Sequence, residues 1–147
     1  MQTSAFLKTL DNDRIVAAIL DAESRSHGEI RVHVTNQATT AVETAARAQF
    51  EKLEMTKTAL RNGVLIYVAP RSQKFAVIGD AGIHERCPAT FWSDIAAAME
   101  ADFRVGRFTD GIVKGVNVAG LALARHFPRA EGSTPDVNEL SNDVTED

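Results

Sequence analysis

The residues with the most chemical capacity in this chain fall in one run, Ile78-Gly79-Asp80-Ala81-Gly82-Ile83-His84-Glu85-Arg86. Gly79 and Gly82 permit a backbone with positive φ, which lets main-chain amides close on a ligand. Asp80 and Glu85 supply the hard oxygens that Ca²⁺ or Mg²⁺ requires. The run follows an apolar segment, and in open α/β sheets ligands are received outside the carboxyl ends of strands. The same residue types also build ordinary turns, in which Asp80 is a cap and His84-Glu85-Arg86 is a solvated surface. Two more carboxylates belong with this set. Glu29 sits between Gly28 and an alternating segment, and reads either as solvated or as a ligand or acid near a sheet end. Asp110 follows Thr109, where a carboxylate also stabilises a helix N-terminus by about 0.3–1 kcal/mol.

Other reactive residues carry less. Cys87, beside Pro88 at a helix start, has no paired base in view, so it reads as a buried bystander rather than a nucleophile. Arg31 and His33 alternate with apolar residues and read as a solvated or interface face of a strand. The chain contains no GxGxxG after a strand, no GxxxxGK, no GxSxG and no HExxH. Dinucleotide enzymes, P-loop NTPases, ordinary α/β-hydrolases and zincins thereby lose their main signals.

The elements that must position these residues follow from changes in hydrophobic period. Ile15, Val16, Ile19, Leu20 and Ala22 predict a helix over 11–26, capped by Asp11 or Asn12 and stopped by Gly28. Ile30, Val32 and Val34 alternate with polar residues, predicting a half-exposed strand toward the edge of a sheet. Thr40 and Glu43 form a capping box for a helix to about Glu54. Val64 to Ala69 is continuously apolar, as a central strand covered on both faces must be, and the short turn at 70–73 predicts an antiparallel return over 74–79. Two further helices follow: one carries Phe91, Ile95, Met99 and Phe103, and the other, capped by Thr109, carries Ile112, Val116, Ala119 and Leu123. The aromatic residues Phe91, Trp92, Phe103 and Phe108 read as core. Helices interleaved with strands predict an α/β fold, a three-layer α/β/α sandwich with a small mixed β-sheet flanked by helices.

Composition agrees with a single folded domain. The 147 residues are 44% hydrophobic and 24% charged, and one cysteine excludes an internal disulfide framework. The net charge of −4 is uneven: from Arg129 onward there are one basic and six acidic residues, while residues 1–128 hold fifteen basic and fourteen acidic. So balanced a body is not a nucleic-acid footprint. The division expected is a domain over 1–128 and a flexible acidic tail over 129–147, in which Val137 and Leu140 offer the only apolar pattern for docking. With no signal-peptide pattern and no long apolar run, the chain reads as soluble and cytoplasmic, with no membrane span.

Four blocks in register, Gly28-Glu29-Ile30-Arg31-Val32, Arg61 to Val68, Gly79 to Ile83 and Phe103 to Ile112, resemble the TPM domain family over about residues 10 to 127. That family includes a plant thylakoid-lumen protein described as an acid phosphatase, a cyanobacterial photosystem repair protein and many bacterial proteins. The resemblance implies an α/β/α fold, Ca²⁺ or Mg²⁺ near the ligand end of the sheet, and a phosphatase label. Many relatives carry a leader, a membrane anchor and a Gly-rich tail, whereas this chain looks like a short, stand-alone bacterial form. Where the family has a glycine-aromatic-glycine turn, this chain has Gly79-Asp80-Ala81-Gly82.

Two functions follow from the resemblance. One is a binding or regulatory module in which a divalent ion, held by Asp80 with Glu29, Asp110 and Glu85 as further ligands, orders the loop and presents a surface to another protein. The alternative is metal-assisted hydrolysis of a small phosphate monoester, with Asp80 holding the ion and Arg104 or Arg107 neutralising the phosphoryl charge. No nucleotide or organic cofactor is indicated.

Overall fold

The alternation along Ile30, Val32 and Val34 and the unbroken apolar run from Val64 produce the two strands around which the chain is built. The structure is a computed structural model describing residues 1–58, 60–128 and 143–147. Strand β1 (Glu29–Val34) pairs in parallel with β2 (Gly63–Ala69), Glu29 opposite Gly63 and Val34 opposite Val68. A parallel pair needs a crossover, which helix α3 (Val42–Lys52) supplies. Strand β3 (Lys74–Gly79) returns antiparallel beside β2. A two-residue strand, β4 (Thr145–Glu146), pairs in parallel with the last residues of β1, giving the order β3-β2-β1-β4.

Six α-helices flank this mixed sheet among the described residues. Ahead of β1 come α1 (Thr3–Thr9) and α2 (Asn12–Ser24), and after β3 come α4 (Ala81–Arg86), α5 (Thr90–Arg104) and α6 (Phe108–His126). Ile30, Val32, Val34, Val64, Ile66 and Val68 face one way, against Ile15 and Ile19 of α2, Ile95 and Met99 of α5, and Ile112, Val116 and Leu123 of α6. Leu65, Tyr67, Ala76 and Ile78 face the other way, against Ala46 and Phe50 of α3 and against Met55. The strands are therefore the middle layer of an α/β/α sandwich, as the sequence predicts.

The differences have physical reasons. All six residues of β1 are buried, so the strand is not half-exposed. Its outer edge is occupied by β4 and, ahead of that, by the Glu23 carboxylate, which accepts from the Ile30 amide at 3.0 Å and from Arg31 Nη1 at 2.7 Å. An inward-held charge is a common way of protecting a strand edge. Residues 143–147 are correspondingly no free tail: Thr145 and Glu146 complete a ladder, and Val144 packs on the core. Val137 and Leu140 lie outside the described residues. The Thr40–Glu43 box does not form. Helix α3 begins at Val42 after Ala41 with no side-chain cap. Thr109 lies inside α6, where its hydroxyl accepts from the Asp11 amide and donates to the Thr9 carbonyl, both at 3.1 Å, tying α6 to the α1–α2 corner. Neither α1 nor α4 follows from the periodicity, because at seven and six residues they are too short to show a stripe.

Gly82 is fixed by a close approach rather than by its φ. A Cβ there would lie 2.3 Å from the Leu60 carbonyl oxygen and 2.7 Å from that of Arg61, and its amide donates to the Arg61 carbonyl at 2.9 Å. Backbone cannot swing aside as a side-chain tip can. Gly82→Ala is therefore expected to lower stability by about 1–3 kcal/mol, read as a lower denaturant midpoint with an unchanged slope. A variant as stable as the parent would show that this approach is not made.

Candidate functional site

The strand directions decide where the chemical residues lie. Because β3 runs antiparallel to β2, its carboxyl end sits beside the amino end of β2, and the Asp80 amide donates to the Gly63 carbonyl at 3.0 Å. The Asp80 turn thus stands at the opposite end of the sheet from the carboxyl ends of β1 and β2. Asp80 is the N-cap of α4, its side chain accepting from the Ala81 amide at 2.8 Å. Its two oxygens also receive Arg61 Nε and Nη2 at 2.6 and 2.7 Å, a forked pair. Burial by itself would raise the Asp80 carboxyl. The bonds from Arg61 and Ala81, with the charges of Arg61 and His84, outweigh it and hold the group below the ordinary 3.8. Arg61 adopts a left-handed backbone, φ 51°, just before Asn62-Gly63.

The other carboxylates do not join Asp80 in one cluster. Glu29 is buried at the start of β1, on the same sheet face and at the same end, but the space over Gly63 between the two strands is filled by Met55 and Phe50, within 3.5 Å of where a Cβ would stand. Glu85 is exposed on α4. Asp110, in the first turn of α6, pairs with Arg14 at 2.9 Å. Arg104 pairs with Glu100 at 2.5 Å and borders Ala69 and Lys74, so it stands by the carboxyl end of β2. Ala69 at that end lies six residues along β2 from Gly63, about 20 Å at 3.3 Å per residue. Arg107 belongs to the same α5–α6 corner. The predicted set is split: Glu29, Asp80 and Glu85 lie at one end of the sheet, and Asp110, Arg104 and Arg107 at the other. These residues do not fit a single divalent ion, nor an ion and its phosphate. Among the described residues no three His, Cys, Asp or Glu side chains are arranged to hold a metal. Cys87 is half-buried, and burial raises its thiol, in keeping with a bystander.

What does converge is at the carboxyl ends of the parallel strands, the usual ligand position in α/β sheets. A crevice of about 700 Å³ opens there, lined by His33 and Thr35 from β1 and its exit, Tyr67 of β2, Gln49 and Lys52 of α3, and Glu146 and Asp147. His33 is almost fully buried and stacks on Tyr67 at 5.6 Å between ring centres. Its Nδ1 meets the Thr145 hydroxyl at 2.7 Å and its Nε2 the Asp147 carboxylate at 2.8 Å. The other Asp147 oxygen accepts from Thr35 Oγ1 at 2.5 Å and from the Asn36 amide at 2.8 Å. Burial pushes the Asp147 carboxyl up, but the bonds from Thr35, His33 and Asn36 win and hold it below 3.8. The sequence offers His33 only as a polar strand residue. Asp147, 114 positions away, carries no local signal at all.

A three-layer sandwich with a mixed sheet places the chain among the α/β folds. The TPM domain model matches residues 1–121, and the chain belongs to that family. It is similar to the BA42 protein of the psychrophilic bacterium Bizionia argentinensis, solved by NMR, with 38% identity and a TM-score of 0.84 over 94% of this chain and 95% of that one. The N-terminal domain of a P. gingivalis protein shares the fold at 19% identity and TM-score 0.66, covering 83% of each chain. The N-terminal domain of the cg2496 protein of Corynebacterium glutamicum does so at 14% and 0.61, over 88% of this chain and 80% of that. No curated protein matches this chain. Among the described residues no helix is long and apolar enough to cross a membrane.

The Asp147 contacts should be pH-dependent. Since the folded state holds this carboxyl below its ordinary value, the unfolded chain takes up the proton first as pH falls. The contribution is complete above about pH 4 and is lost as pH drops through the folded value. In Asp147→Ala, lower protection of the β1 amides facing β4, measured relative to the intrinsic exchange rate at each pH, is expected at neutral pH, with little further loss of protection on acidification. Unchanged exchange would mean that β4 docks without this carboxylate.

Proposed function

We propose that this chain is a binding module for a cationic ligand, with Ca²⁺ or Mg²⁺ as the family reading, rather than a phosphate ester hydrolase. The observation that carries the reading is the charge of the crevice at the parallel carboxyl ends, where Glu146 and Asp147 face a single lysine, Lys52. That balance favours a cation and opposes a phosphate dianion. The arginines suited to a phosphoryl group, Arg104 and Arg107, are not among its lining residues. Asp80 is already neutralised by the forked Arg61 guanidinium, so an ion at that turn would have to displace a full positive charge, whereas Asp147 accepts from His33, Thr35 and Asn36 and Glu146 beside it is exposed.

Few carboxylates imply a weak site, with a dissociation constant of about 10⁻⁴ to 10⁻³ M. Titrating either ion into labelled protein should move the amides of residues 33–37 and 145–147 saturably. Movement confined to Asp80 and Glu29 would return the site to the turn, and no movement at millimolar ion would end the cationic reading.

For catalysis, purified protein should turn over a generic aryl phosphate at less than about 10⁻² s⁻¹, against a median near 10 s⁻¹ for enzymes. A metal-dependent rate well above this that Asp80→Asn abolishes would establish the hydrolase instead.

A further inference from the structure

A second cleft, of about 680 Å³, opens between the carboxyl end of β2, α1 and the α5–α6 corner. Its wall is a continuous run of four rings. Phe6 lies 4.8 Å from Phe108, Phe108 5.5 Å from Phe103, and Phe103 5.4 Å from Phe75, centre to centre. Phe6 is buried, but Phe75, Phe103 and Phe108 are each only half-buried, so an apolar aromatic surface lines a space within the ordinary size range of ligand sites. Lys74, Glu100 and Arg104 stand at the mouth. Arg104 and Glu100 neutralise each other at 2.5 Å. Lys74 forms no ion pair among the described residues. Its Nζ reaches the Thr40 carbonyl at 3.4 Å. An apolar wall with ammonium groups at its rim, that of Lys74 and that of Met1, which donates to the Pro70 carbonyl at 3.5 Å, is complementary to a molecule with an apolar body and an anionic end.

We infer that this cleft binds an amphipathic monoanion, a carboxylate on a medium-length alkyl body, with the chain against the phenylalanine wall and the carboxylate at Lys74. The site is separate from the acidic crevice and charged in the opposite sense, so either can fail without the other.

Decanoate, used below its micelle concentration, is the probe, followed by amide shifts of the full chain. Saturable shifts are expected around Phe75, Phe103 and Phe108, with affinity rising about fourfold for each added methylene between hexanoate and decanoate. Lys74→Glu, at an exposed position, should weaken decanoate tenfold or more. Decanol should bind the parent as weakly as decanoate binds that variant. Val42, the first residue of α3, also lines the cleft, and Val42→Trp, which fills it without changing charge, should abolish binding of both. Scattered shifts, or decanoate affinity unchanged in Lys74→Glu, would overturn the assignment. So would failure of free decanoate to bind while the protein sediments with anionic vesicles and loses this in Val105→Asp. That outcome would make the exposed Val105, flanked by Arg104 and Arg107, a membrane contact instead.

Discussion

The parallel pairing of β1 with β2 is the constraint from which the rest of the molecule follows. Two parallel strands cannot be joined by a turn, so the chain crosses over through α3 and covers one face of the sheet. The remaining helices must then cover the other face, because both strands are fully buried. The pairing also brings the carboxyl ends of two strands to one end of the sheet, and β4, parallel as well, adds a third. A site assembled there needs no motif in the sequence, since its members come from β1, β2, α3 and the last residues of the chain.

The antiparallel return of β3 sets the other half of the arrangement. It carries the glycine-bracketed Asp80 turn to the amino ends of β1 and β2, away from the crevice. There the carboxylate acts as a helix cap and as the partner of Arg61, while Gly82 lets α4 rest on the Leu60–Arg61 backbone. Residue types suited to ligand chemistry are in this case explained by turn geometry and an ion pair. The two clefts at the far end differ in the same physical currency. One is polar with an excess of carboxylate, and the other is aromatic with ammonium groups at its rim.

The buried polar groups on β1 show how the edge of so small a sheet is managed. Arg31 folds back to Glu23, and His33 is held between Tyr67, Thr145 and Asp147. A buried charge or imidazole is tolerated when an ion pair or hydrogen bonds compensate it, as Glu23 does for Arg31 and Thr145 and Asp147 do for His33. These contacts therefore couple the closing of the strand edge to the docking of residues that the sequence places in an acidic tail.

Local pattern determined a great deal by itself. The alternation in β1, the apolar run of β2, the stripes of α2, α5 and α6 and the β2–β3 return were all legible: a helix burying one face shows a stripe, a strand burying two apolar faces shows an unbroken run, and β1 alternates because its second face is buried but polar. The four family blocks were legible for the same reason: each is a short segment whose residues serve one turn or strand. Only the tertiary structure decided that the predicted ligands stand at two ends of the sheet, that Asp80 is matched by Arg61, and that Asp147 meets His33. Strand direction and pairing order are long-range choices, set by which faces can be buried together. A residue's neighbours across the sheet therefore leave no trace at its own position in the chain.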